Sequence, residues 1–246
     1  MIVKINRLIA VVLLNDDEFY HSKKFKKYTY LGEPINIVRL FNQKKCSELV
    51  ILNIDDKINI NLLEEIASEA FMPLSYGGNI RNYNEAKMIF SLGFEKIVFK
   101  YSEKNLLLAS QIIKDYGSQS VTICVDYNER IKHNWFSKRN KINFSNINKI
   151  IQNISLINPG EIILQSIDRD GTMSGYDIKN IIQFKNIRIP IIPLGGCSGL
   201  DSIKKLKKET YLTNFAASTI FVFKNGGILV NYPEFNEIID ISNFKG

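Results

Sequence analysis

The chain is short of cysteine, of proline and of long apolar runs, and each shortage closes off a class of protein. Three of its 246 residues are cysteine. Cys46, Cys124 and Cys197 are odd in number, none has CxxC spacing, and two sit inside apolar strand-like runs, so a disulfide framework is excluded and a reducing, cytosolic compartment is expected. The first apolar run, Leu8 to Leu14 behind Lys4 and Arg7, is too short to span a bilayer and has no small-residue cleavage site. It reads as a buried β-strand, neither a signal peptide nor a membrane anchor. With 6 prolines and 14 glycines there is no collagen repeat, and no linker or low-complexity stretch divides the chain.

What is present is a 45% hydrophobic sequence, long enough to bury roughly three quarters of its unfolded surface without a metal or disulfide staple. Lys and Arg number 32 against 25 Asp and Glu, a net charge of +7. The lysines are dispersed through a sequence rich in Lys, Ile and Asn, which favours a solvated basic surface over a nucleic-acid-binding face.

Short β-branched runs recur, most followed by helical patterns. They are Ile9–Leu14, Glu48–Ile54, Met72–Tyr76, Glu95–Phe99, Ser120–Asp126, Gly160–Ser166, Ile189–Gly196 and Thr213–Ser218. Runs without inside–outside alternation are buried on both faces, which argues a parallel sheet. Eight such units in about 250 residues predict an α/β fold of the (β/α)8 barrel type, a single domain over residues 1–246. Internal similarity supports two half-barrels. Glu48–Asp55 aligns with Glu161–Asp168 at an offset of 113, and Gly77-Gly78 with Gly195-Gly196 at 118. Residues 128–143 read as a polar excursion on the catalytic face.

In such a barrel, chemistry sits at the C-terminal strand ends. Asp126 closes the fifth strand and is a candidate general acid or base, with a loop or capping aspartate as the alternative. The sixth strand leads into DRDGTMSGYD, the seventh into GGCSG and the eighth into AAST. Three small-residue turns on adjacent strands, with a helix start after the eighth, suggest a phosphate cradle built from backbone N–H groups.

RLIAVVL, YGGNIRN, VTICVDYNE, GEIILQSIDRDGTMSGYD, PIIPLGGCSG and AASTIF, in that order, resemble the cyclase subunit of imidazole glycerol phosphate synthase. The resemblance covers about residues 1–223, and SIDRDGTMSGYD is its most specific piece. It implies a heterodimer with a glutaminase subunit whose ammonia travels through the barrel to a phosphorylated nucleotide, giving imidazole glycerol phosphate and an aminoimidazole carboxamide ribonucleotide. It implies neither a metal nor a cofactor. A charged gate at the barrel base maps onto Arg7, Glu48, Lys96 and Glu161; the second phosphate site onto Gly171, Thr172, Gly196, Ala217 and Ser218; one of two catalytic aspartates onto Asp126.

The other half of the face departs from the family pattern. The first catalytic aspartate falls on Leu13, with Asp16 and Asp17 able to compensate only if their loop folds inward. His21, Asn53 and Asn79 stand where the family has Lys, Asp and Gly, and Lys100-Tyr101 replaces an Asn-Thr pair at the first phosphate, where Lys100 remains a phosphate-binding candidate or a surface lysine. The ending FVFKNGGILVNYP interrupts a final helix. These departures leave two alternatives open: a paralogue delivering ammonia to a nucleotide-linked sugar for amidation or amidination in surface glycan synthesis, and a non-catalytic activator of the glutaminase.

Overall fold

A computed structural model describes residues 7–128, 147–224 and 227–228. The first strand, β1 (Arg7–Asn15), turns back into an antiparallel hairpin of β2 (Glu18–Lys23) and β3 (Lys27–Gly32). Seven further barrel strands follow: β4 (Leu49–Asn53), β5 (Leu74–Gly77), β6 (Lys96–Lys100), β7 (Val121–Tyr127), β8 (Glu161–Ser166), β9 (Ile191–Leu194) and β10 (Asn214–Ala217). They pair in parallel in the order β1-β4-β5-β6-β7-β8-β9, and β10 returns to pair with β1 while lying beside β9. All eight expected strands are therefore present and the barrel is formed. Residues 129–146, which hold most of the expected polar excursion, and the chain after Ile228 lie outside the described residues. A two-residue pair, Phe223–Lys224 with Gly227–Ile228, marks where the expected interruption of a final helix begins.

Helices form where the sequence supplies apolar stripes and caps. In α1 (Pro34–Gln43) the buried Pro34, Ile37, Val38 and Phe41 repeat at helical spacing, with Pro34 at the start where its missing N–H is no loss. Asn59, Asn82 and Ser102 cap α2 (Ile60–Glu69), α3 (Tyr83–Ser91) and α4 (Glu103–Tyr116), each side chain accepting from a first-turn N–H. Helix α5 spans Ile147–Ile157, α6 only Ile178–Ile181, α7 Leu200–Thr210 and α8 Thr219–Val222. These helices bury the outer shell of the sheet. Inside the barrel a second apolar cluster, Ile9, Val11, Val50, Val98, Cys124, Ile163, Ile192, Leu194 and Ala216, comes from alternate residues of the strands.

That alternation sorts the interior into three storeys along single strands. On β1 it places Arg7 below, Ile9 and Val11 in the middle and Leu13 above; on β6 it gives Lys96, Val98 and Lys100 in the same sense. The half-barrel similarity has a structural counterpart, because Glu48 immediately precedes β4 and Glu161 opens β8, the second and sixth barrel strands.

Candidate functional site

The lower storey is a closed ring of alternating charge. Arg7 Nη1 donates to Glu48 Oε2 at 2.7 Å and Arg7 Nη2 to Glu161 Oε1. Lys96 Nζ reaches Glu48 at 3.0 and 3.1 Å and Glu161 at 3.2 Å. Ser75 Oγ adds a bond of 3.1 Å to Glu48. Both glutamates are buried, a costly position for carboxylates unless each is matched by cations, as here. The four residues singled out from the sequence are thus brought together at one end of the barrel.

At the opposite end a cavity of about 580 Å³ opens between the strand tips. Asp126, at the end of β7, is buried in its wall. Lys100 Nζ lies 2.7 Å from Asp126 Oδ2, so the lysine expected at a phosphate is paired with the candidate acid–base group. Register explains the pair: Lys100 stands opposite Cys124, placing Asp126 one inward step further along β7. The Cys124 thiol donates towards Asp126 Oδ1 (3.4 Å) and Gln165 Oε1 (3.6 Å). Burial, and secondarily the Asp126 charge, push that thiol well above its ordinary value, so it serves as a donor and not as a thiolate.

Leu13 and Leu52 line this cavity beside Val98. Asp16 and Asp17 do not. Both have positive φ, 47° and 60°, in a two-residue turn joining β1 to β2, the geometry that matches the twist of a hairpin. The turn leaves both exposed: the Asp16 carboxylate accepts from Asn15 Nδ2 (3.0 Å), and that of Asp17 from Asn59 Nδ2 (2.9 Å). Neither replaces the carboxylate missing at Leu13. Asn53 is also committed, donating to Tyr76 Oη (2.8 Å) and Lys57 O (2.7 Å) while accepting from the Asp55 N–H (2.8 Å). It braces the loop after β4. Asn79 adopts the left-handed φ of 54°, which asparagine tolerates better than most side chains, in the place of a glycine.

The expected cradle gathers beside, not within, the cavity. Gly171 and Gly196 have φ of +66° and +90°, and a Cβ on Gly196 would stand 2.2 Å from Gly175 O, so glycine is required at both turns. The Thr172 hydroxyl is held by Arg169 O (2.8 Å) and Ser174 Oγ (2.7 Å). Ala217 is buried, and Ser218 Oγ lies 3.2 Å from His21 Nδ1. The helix start expected after the eighth strand is only the single turn of α8.

Sequence reasoning missed the hairpin, which supplies Tyr20, Ser22, Phe25 and Tyr28 to the cavity wall, together with Gln165 opposite Asp126 in the β7–β8 ladder. It also missed Asp170, whose carboxylate accepts from Ser22 Oγ at 2.5 Å. Burial raises Asp170 to about 6, against the lowering effect of Ser22 and the Phe25 and Lys24 N–H groups, with Asp126 raising it further. Burial, then the Lys23 charge, lowers His21 to about 4.

The fold and this site define a β/α-barrel protein with a buried carboxylate at its mouth and a charged ring at its base. Residues 7–226 match the family model described as "Histidine biosynthesis protein". The chain is 37% identical over 244 residues to "Putative imidazole glycerol phosphate synthase subunit HisF" of Leptospira borgpetersenii, covering 92% of this chain and 94% of that one. It is 34% identical to "Putative imidazole glycerol phosphate synthase subunit hisF3" of Vibrio vulnificus (94% of each chain) and 30% identical to "Imidazole glycerol phosphate synthase subunit HisF" of Helicobacter hepaticus (79% and 81%). The chain belongs to this histidine biosynthesis barrel family, among the HisF-type synthase subunits.

Proposed function

We propose that the protein is an ammonia-dependent synthase subunit. A separate glutaminase docks at the base, ammonia passes the ring of Arg7, Glu48, Lys96 and Glu161, crosses the apolar storey above it, and is added to a phosphorylated acceptor beside Asp126. The observation that carries this reading is the pairing of a matched charged ring below with a buried carboxylate above. Between them lie Ile9, Val11, Val50 and Ile163. An apolar passage suits neutral ammonia and opposes ammonium, whose desolvation there is costly. As ammonia adds to an electrophilic C=O or C=N carbon of the acceptor, the π pair moves onto that oxygen or nitrogen, the attacking nitrogen becomes N–H⁺ and sheds a proton, and Asp126 is the group positioned to accept it. Lys100 contributes a cation at the same point, suited to an anionic acceptor.

The test is synthesis with the histidine-pathway nucleotide, using either ammonium or glutamine plus glutaminase. Asp126→Asn should lower turnover by about 10²- to 10⁴-fold with both nitrogen sources, and Glu161→Ala should impair the glutamine-driven reaction more than the ammonium-driven one. Equal loss from Glu161→Ala with both sources would count against the ring as a gate.

A second reading is favoured by one observation: Leu13 faces the cavity where a histidine-pathway cyclase carries its first aspartate, and the exposed Asp16 and Asp17 do not line it. On this reading the acceptor is a nucleotide-linked sugar being amidated or amidinated. It gains support if ammonium and the histidine-pathway nucleotide give no product with folded protein. A glutaminase activator without its own chemistry would need neither a buried Asp126 nor a cavity around it.

A further inference from the structure

Asp126 is flanked from both neighbouring strands. On β6, Lys100 Nζ lies 2.7 Å from its Oδ2; on β8, Gln165 stands opposite it in the ladder. The Cys124 thiol sits between the two, 3.4 Å from Asp126 Oδ1 and 3.6 Å from Gln165 Oε1. A carboxylate only accepts, and burial keeps Cys124 protonated, so the thiol is the donor of this group. With Oε1 turned to the thiol, the amide of Gln165 presents its other end, Nε2, away from it. Gln165 is 5% exposed and lines the cavity. Its Nε2 has no hydrogen-bond partner among the described residues and is not sealed within the wall, so its two N–H groups are open to whatever the cavity holds.

We propose that Gln165 is a catalytic residue of the addition step, its Nε2 donating to the acceptor's oxygen or nitrogen as charge gathers there. The ammonia lone pair forms the C–N bond, and the C=O or C=N π pair moves onto the heteroatom facing Gln165. The proton shed by the attacking nitrogen goes to Asp126. In net, one negative charge passes from Asp126 to that heteroatom, and no further reactant is needed. Because Cys124 holds the far end of the amide, the donor is oriented before the acceptor arrives, the condition under which such a bond stabilises a transition state most. The inference rests on the addition proposed at the barrel mouth and assigns the charge-stabilising group within it.

Steady-state kinetics with ammonium and the histidine-pathway nucleotide test it in Gln165→Met, which keeps the length of the side chain and loses the amide. Gln165→Glu, which keeps the oxygen and loses the donor, serves if the first variant does not fold. In either, kcat should fall by about 10²- to 10³-fold with KM nearly unchanged, since the bond strengthens only as charge develops. A second readout needs no turnover. In nitrogen-labelled wild-type protein without ammonium, the Gln165 side-chain NMR signal, assigned by its loss in Gln165→Met, should shift when the nucleotide is added. Wild-type turnover that both variants leave intact, a rise in KM with kcat kept, or a Gln165 signal that stays still at saturating nucleotide would each overturn the inference while leaving the synthase reading in place. A signal that moves in a wild type that makes no product would overturn that reading for this nucleotide and support the contact; no product and no movement would overturn both.

Discussion

His21 and Asp170 hold the same hairpin with proton affinities displaced in opposite directions, and this fixes how His21→Asn and Asp170→Asn should respond to acid. His21 falls from 6.5 to about 4 on folding, so the folded state binds fewer protons than the unfolded chain and stability is lost as pH falls from 6.5 towards 4. Asp170 rises from 3.8 to about 6, so the folded state binds more protons and stability is gained as pH falls from 6 towards 3.8. At about 1.4 kcal/mol per tenfold change in proton affinity, the His21 contribution at pH 5 is about −2 kcal/mol, and that of Asp170 about +1 kcal/mol, both relative to pH 7.5. In wild type the second partly offsets the first. His21→Asn keeps a donor near the Nδ1 position but abolishes titration, so its stability relative to wild type should improve by about 2 kcal/mol between pH 7.5 and pH 5, about 4–8 °C in Tm. Asp170→Asn should do the reverse, losing about 1 kcal/mol relative to wild type over the same interval. Chemical denaturation at both pH values measures this directly. Because every other titrating group is common to the three proteins, parallel pH profiles for wild type and His21→Asn would refute the argument.

Removing one cation from the ring should expose the cost of its carboxylates. Lys96→Met leaves the buried Glu48 and Glu161 with Arg7 as their remaining ring cation, and should destabilise the protein by about 3 kcal/mol in denaturation at neutral pH; no loss would mean that water screens the ring. Phe71 and Tyr211, 87% and 82% exposed, precede β5 and β10 on the ring's end of the barrel. Phe71→Ser and Tyr211→Asn, the latter suited to the left-handed φ of 60° there, should change stability by no more than about 0.5 kcal/mol. Each should weaken glutaminase association by about tenfold in a calorimetric titration, and unchanged association would remove these side chains from the proposed interface.

The barrel strands were legible because strands buried on both faces are apolar throughout, whereas Arg7, Glu48, Lys96 and Glu161 were marked by the family resemblance alone. Asp126 was legible as a carboxylate at the end of one such strand. The Lys100–Asp126 pair was not, because it depends on the β6–β7 register, which no local pattern encodes. The outward course of Asp16 and Asp17 depends on two left-handed residues in succession, which a sequence of two aspartates does not announce. The hairpin passed unnoticed because its strands, EFYHSK and KYTYLG, are polar and only part-buried, unlike the doubly buried apolar runs that mark the barrel strands. With it went the roles of Ser22 and Asp170, residues 148 apart that meet only once the hairpin folds back.

The apolar middle storey separates the two ends of the barrel as an insulating layer. Ion pairs at the base and polar contacts at the mouth are satisfied within their own storeys, so residues at one end can be exchanged without unbalancing the other. Such a barrel is modular along its axis. Arg7, Glu48, Lys96 and Glu161 keep their mutual pairing whatever side chains stand at positions 13, 21 and 100 at the mouth.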